Sequence, residues 1–146
     1  MASTRPLSPG KKAQRTATWT RTMTKWLVTY SHADGAIWHL VDFVGKKKGE
    51  SRGIIDLLAV RKDHRHIRPG LKRGDLLEIV LIQVKGGRSP LPTKEDVLRL
   101  ARVASLYRAR AVVLAERRPG LKMKISVLEG QRWSVVKRER INEIFG

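Results

Sequence analysis

The sequence contains no cysteine and few acidic residues, and these absences exclude several kinds of protein. Without cysteine there is no disulfide framework, no thiolate zinc site and no cysteine nucleophile, so a bound metal must be held by oxygen or histidine ligands. No apolar run approaches the roughly 20 residues that cross a bilayer, and none near the start resembles a secretory signal. We expect a cytoplasmic protein without a membrane partner, although the Ser/Thr-rich, acid-free start also has the composition of an organelle transit peptide.

What the sequence does contain is positive charge. The 146 residues include 31 Lys and Arg against 13 Asp and Glu, a formal net charge of +18. This excess is far larger than solubility requires of a small domain, so it predicts a polyanionic partner, with nucleic acid as the first candidate. A basic ribosome-associated protein and a protein held on anionic lipid are the alternatives.

The chain length predicts one domain with a single core. Residues 1–16 are basic, contain Pro and Gly and have hardly any large apolar side chains, so we predict a mobile basic arm followed by one domain over residues 17–146.

Hydrophobic periodicity and turn residues predict an alternation of helices and strands within that domain. An apolar stripe of Trp19, Met23, Trp26, Leu27 and Tyr30 indicates a first helix over residues 17–31, and Thr93 with Asp96 resembles a capping box that opens a second helix over 94–109. The predicted strands are 36–44, 53–60, 76–85, 111–115, 122–128 and 132–136, and a short terminal helix is predicted over 138–144. This order predicts the α/β class, with a mixed sheet flanked by helices and an extra C-terminal hairpin.

Two of the predicted strands carry a motif. The segment Gly53–Leu58 (GIIDLL) is interrupted only by Asp56, and Ile82–Gly87 (IQVKGG) carries Gln83 and Lys85. Together they resemble the paired strands of the PD-(D/E)XK nucleases, in which an Asp ends one strand and an E-x-K or Q-x-K tripeptide lies on its neighbour. The resemblance implies a restriction-endonuclease-like fold, catalytic roles for Asp56, Gln83 and Lys85, and Mg²⁺ or Mn²⁺ held by Asp56, Gln83 and the Val84 carbonyl.

Phosphodiester hydrolysis explains these residue types. Mg²⁺ held by oxygen ligands stabilises negative charge on the phosphoryl and leaving oxygens, and a nearby Lys orients the attacking water. Residues two apart on a strand share a face, so Gln83 and Lys85 should project together.

The sequence also departs from the family pattern. Gln83 replaces the usual Glu and is a weaker ligand, Ile55 stands where Pro is common, and the first predicted helix carries no acid. Glu50 is the nearest substitute for that acid, and Asp42 and Asp34 are further candidates. A purely structural interpretation remains open, in which Asp56 is a strand-end acid paired with a Lys and Gln83 and Lys85 are ordinary polar groups.

Basic residues flank the motif strands in sequence, which predicts that they contact phosphates beside the metal. They are Lys46, Lys47, Lys48, Arg52, Arg61, Arg65, Arg68, Lys72, Arg73 and Arg88. Asp63, His64 and His66 are either a metal cluster or part of this phosphate-contacting loop, and the surrounding arginines favour the loop.

The function expected from these features is a Mg²⁺-dependent endonuclease acting on DNA in preference to RNA, and on shape or branched structure rather than a long sequence. The resemblance extends to archaeal Holliday junction resolvases and to small stand-alone nucleases. Because a resolvase needs two active sites, a homodimer is expected. The alternatives are a catalytically inactive nucleic-acid-binding protein of the same fold and a basic component of a ribonucleoprotein particle.

Overall fold

A computed structural model describes residues 9–30, 36–43, 53–87, 90–118 and 120–146, with the side chains of the first helix described for residues 18–29. The helices are α1 (Pro9–Tyr30), α2 (Lys94–Tyr107) and α3 (Asn142–Phe145), with a 3₁₀ turn at Arg138–Arg140. The strands are β1 (His39–Asp42), β2 (Leu57–Lys62), β3 (Leu77–Gly86), β4 (Ala111–Arg117), β5 (Lys124–Glu129) and β6 (Arg132–Val136).

The described strands form one six-stranded sheet in the order β1-β2-β3-β4-β5-β6. All neighbours are antiparallel except β3 and β4, which are parallel and are connected by α2. The predicted α/β class, the mixed sheet and the C-terminal hairpin are therefore confirmed. Within the described part of the chain, no helix has the length and hydropathy needed to cross a membrane.

The central strands of the sheet are buried on both faces, which explains their nearly continuous apolar runs. Val80 and Ile82 of β3 point to the face covered by α1, where Val28 joins the same core cluster. Leu81 points to the opposite face and packs with Leu100 of α2. The core is thus two layers on either side of β3 and β4.

Helix α1 differs from its prediction in two respects. It begins at Pro9, within the segment predicted as a basic arm. Proline suits the first helical turn, and the good helix formers in the segment KKAQR continue the helix. Residues 1–8 of the predicted arm lie outside the described residues.

The second difference concerns the face of α1 that packs on the sheet. The buried stripe is Thr20, Thr24 and Val28, whereas Trp26 is 56% exposed. The small threonines allow close approach to the sheet, and the Thr24 hydroxyl donates to the Thr20 carbonyl at 2.7 Å, so it enters the core with a partner. Trp19 and Trp26 of the predicted stripe therefore lie on the flank of the helix, whereas Leu27 packs against the core.

Helix α2 begins with the predicted capping box. The Asp96 N–H donates to the Thr93 hydroxyl at 3.1 Å, and the Thr93 N–H donates to the Asp96 carboxylate at 3.0 Å. The bond from the Thr93 backbone is the main reason that the pKa of Asp96 lies below its ordinary value, with smaller contributions from the Thr93 hydroxyl and nearby cations. The cap fixes the start of the crossover that places β4 beside β3.

Candidate functional site

Asp56 is held at the edge of β3. Asp56 immediately precedes Leu57, the first residue of β2, and the Asp56 N–H donates to the Ile82 carbonyl of β3 at 3.1 Å. Beyond this point β3 continues without β2 alongside it, and the Asp56 carboxylate accepts the Val84 N–H at 2.7 Å. A charge-assisted bond of this kind fixes the side chain. The carboxylate is therefore anchored to the residue between Gln83 and Lys85.

Gln83 and Lys85 share the sheet face covered by α2, as the strand period predicts. Gln83 is 6% exposed, and its Oε1 is buried with no hydrogen-bond partner among the residues that the structure describes. Such an orphan acceptor is costly in a folded protein unless a ligand or solvent satisfies it. Val84 points to the opposite face and packs against the α1 core.

Asp56 also lies in an ion-pair network with α1. Arg21 places Nε 3.1 Å from Oδ1 of Asp42 and Nη2 3.6 Å from Oδ1 of Asp56, and Lys25 pairs with Asp42. Asp42 faces Leu57 across β1 and β2, so this alternative acid lies close to Asp56. The sequence reasoning missed Arg21. The available signal was the Arg21–Lys25 spacing of one helical turn, which places both cations on one flank of α1.

A second carboxylate, Glu116, was missed because the fourth strand was predicted to end one residue earlier. Glu116 is 5% exposed and faces Lys85 in the parallel pairing of β3 and β4. Arg118 and Lys124 lie 3.2 and 3.6 Å from its oxygens. These cations offset the charge of the buried Glu116 carboxylate, which lies beside Lys85 on the neighbouring strand.

The oxygen donors of Asp56, Gln83 and Val84 are of the kinds that hold a divalent cation. They are one carboxylate, the orphaned Gln83 Oε1 and the Val84 carbonyl, which points to the same edge as the Val84 N–H because both groups of a strand residue face one neighbour. Oxygen ligands of this kind suit Mg²⁺ and Mn²⁺. No group of three His, Asp or Glu side chains able to hold a metal occurs in the described residues, so a bound ion would depend on amide and carbonyl oxygens.

The basic loop lies at the other end of the hairpin. Four exposed cations of this loop lie between the end of β2 and the start of β3, and Asp56 lies at the opposite end of β2. They are Arg65, Arg68, Lys72 and Arg73. A strand of this length spans about 20 Å, so these residues lie well away from Asp56, and their contact with phosphates stays a prediction. The separation arises because a hairpin brings its two strands together and leaves its tip distant from their other end.

Arg61 is not a surface residue. It is 2% exposed, its Nε lies 3.4 Å from Glu78, and its Cζ lies 4.3 Å from the Trp38 ring centroid. Burial lowers the pKa of Arg61, and the Glu78 carboxylate opposes that shift. The prediction that Arg61 contacts phosphate is therefore wrong, because the alternation of β2 turns this side chain into the protein.

Asp63 organises the start of the basic loop. Burial alone would raise the pKa of Asp63, but hydrogen bonds from the Arg65 and His66 backbone and from the His66 ring outweigh it, so the pKa is lowered. The His66 ring nitrogen lies 2.7 Å from the carboxylate. This arrangement supports a structural turn rather than a metal cluster.

Several predicted site residues cannot be located. They lie outside the described residues and are Glu50, the alternative acid Asp34, Lys46, Lys47, Lys48, Arg52 and Arg88.

Comparison with known proteins adds little to this geometry. No protein-family model matches the sequence, and no curated protein is detectably similar to it. Among solved structures, Hjc, a Holliday junction resolvase from the archaeon Archaeoglobus fulgidus, aligns with a TM-score of 0.46 and 13% sequence identity over 92% of this chain and 98% of that chain. The functional assignment therefore depends on the arrangement of the site itself.

Proposed function

We propose that this protein is a Mg²⁺- or Mn²⁺-dependent endonuclease that hydrolyses phosphodiester bonds of DNA, with branched or junction DNA as the favoured substrate. The observation that carries the proposal is the Asp56 carboxylate fixed on the N–H of Val84, the residue between Lys85 and Gln83, whose buried Oε1 lacks a partner among the described residues. Orphaned polar atoms of this kind are typical of sites that a ligand completes.

Each residue has a role in this proposal. Asp56, the Gln83 Oε1 and the Val84 carbonyl would hold the ion, which when bound stabilises the negative charge of the phosphoryl group. Lys85 would orient the attacking water and offset charge that develops on the phosphate. Glu50 remains the proposed additional carboxylate.

The basic loop would extend the contact with the substrate. Arg65, Arg68, Lys72 and Arg73 are exposed beyond the far end of β2. The length of that strand, about 20 Å, corresponds to roughly six steps of a duplex with a rise of 3.4 Å. A phosphate contact at that distance would orient a duplex without reading its sequence. Cleavage of two strands of a junction would require two such sites, so we propose a homodimer.

The test is cleavage of supercoiled, linear and four-way-junction DNA with Mg²⁺ or Mn²⁺ and then with EDTA. Asp56→Asn and Lys85→Ala should each slow strand scission by about 100-fold or more and change DNA affinity by less than about threefold, since metal site and basic surface contribute separately. The matched controls are Asp75→Asn and Lys62→Ala, which alter exposed residues near the far end of the hairpin and should cleave normally. Cleavage that survives EDTA or the Asp56 substitution would overturn the proposal.

A second candidate function is nucleic-acid binding without catalysis. The contact of Arg21 with Asp56 favours it, because a guanidinium already neutralises the carboxylate that would hold the ion. Metal-independent binding without scission in the same experiment would support this candidate. Preference for structured RNA without cleavage would instead indicate a ribonucleoprotein component.

A further inference from the structure

Two tryptophans of α1 lie on a flank of the helix and do not enter the core. Trp26 and Trp19 are 56% and 38% exposed, while the neighbouring Thr20 and Thr24 are buried. Arg21 and Lys25 occupy the opposite flank, where they meet the acids of β1 and the Asp56 turn. The tryptophans therefore face away from the proposed catalytic site.

These tryptophans form one wall of an open groove between α1 and the β5–β6 hairpin. The groove has a volume of about 760 Å³, within the range of ligand-binding clefts. Its opposite wall is apolar and is formed mainly by Leu121, Met123, Ile125, Val135 and Val136. Leu121 and Val135 are 64% and 59% exposed, so this surface remains open to solvent.

Among the described residues, all charged side chains that line the groove are cations. They are Arg117, Lys122, Lys124 and Arg138. The Arg117 Cζ lies 3.8 Å from the Trp19 ring centroid, a cation–π stack that holds this ring in place. Lys124 is paired with Glu116, and Lys122 and Arg138 are further exposed cations at the groove. Flat aromatic surfaces bordered by cations match a polyanion that carries flat apolar rings.

We propose that this groove binds single-stranded nucleic acid, with an unpaired base stacked on Trp26 and the adjoining phosphates contacted by Lys122 and Arg138. A base in a duplex is already stacked on both faces, so the aromatic wall offers most to an unpaired strand. A second copy of the chain fits the groove poorly, because its cations would face their equivalents. This binding site does not depend on catalysis at Asp56.

The experiment measures fluorescence anisotropy with labelled 12-nucleotide dT and rU strands and with a blunt duplex, each titrated with the wild-type protein and variants. Trp26→Ala should weaken single-strand binding by about tenfold, as expected from loss of one stacked base, and leave duplex binding within about twofold. Trp26→Phe should restore part of the loss. Tyr107→Ala is the matched control, because Tyr107 is an aromatic residue of the other long helix with 65% exposure.

The double variant Lys122→Gln/Arg138→Gln should bind single strands with a shallower slope of log affinity against log salt concentration. The expected decrease in slope is that of about two lost phosphate contacts. Unchanged single-strand affinity in Trp26→Ala would overturn the proposal, as would an equal loss for strand and duplex. A wild-type dimer that Trp26→Ala converts to a monomer in sedimentation would also overturn it, because the groove would then be a subunit interface. Loss of DNA scission in Asp56→Asn with normal Trp26-dependent binding would separate this site from the proposed nuclease centre.

Discussion

Replacing Arg21 with glutamine tests whether the guanidinium competes with a divalent ion for Asp56. Arg21 Nη2 lies 3.6 Å from the Asp56 carboxylate. An ion bound to that oxygen at about 2.1 Å would lie within about 6 Å of the guanidinium. Repulsion between these charges at that distance is about 1.4 kcal/mol even in a water-like dielectric, which corresponds to about tenfold in affinity.

The assay is Mn²⁺ titration followed by electron paramagnetic resonance, with unfolding in urea as a measure of stability. Arg21→Gln should bind Mn²⁺ about tenfold more tightly than the wild type and lose about 1 kcal/mol of stability from its partly exposed ion pairs. Lys25→Gln is the matched control. Lys25 carries the same charge as Arg21, lies one helical turn from it and pairs with Asp42. This substitution should change Mn²⁺ affinity by less than about threefold.

Two results would refute this reasoning. One is a folded Arg21→Gln protein that binds Mn²⁺ no better than the wild type. The other is tighter binding that persists when Asp56→Asn is added, since the gain would then arise elsewhere. In both cases the ion pair between Arg21 and Asp56 would have only a structural role.

Gln83→Glu should increase Mn²⁺ affinity by about tenfold, because a carboxylate replaces a buried amide oxygen, and should destabilise the metal-free protein by about 1–3 kcal/mol in urea unfolding. Unchanged affinity and stability would place Oε1 outside any metal site. Asp63 and Asp96 have lowered pKa values in the folded state, so each stabilises the protein above its ordinary pKa of 3.8 and loses that contribution as pH falls through the lowered value. The urea midpoint should therefore fall on acidification, and less steeply in the Asp63→Asn/Asp96→Asn variant than in the wild type; parallel curves would contradict the assignment.

Local sequence patterns predicted the elements that do not depend on distant partners. Thr93 and Asp96 specify the start of α2 through their own backbone, and continuous apolar runs identify β3 and β4 as strands buried on both faces. The buried face of α1 was predicted wrongly, because an argument from hydrophobic periodicity assigns the large apolar Trp26 to the core in preference to the polar Thr24. The sheet selects the smaller side chain, since it allows the helix to pack closely.

The candidate site shows the same division. The chain itself determined that Gln83 and Lys85 share a face, that Asp56 interrupts an apolar segment and that the molecule carries a large positive charge, because strand period and composition are local properties. Only the tertiary structure decided that Arg21 meets Asp56, that Arg61 is buried against Glu78 and that the basic loop lies far from the carboxylate. These features depend on which elements become neighbours, and neighbours in space are selected by packing of the whole sheet rather than by any one segment.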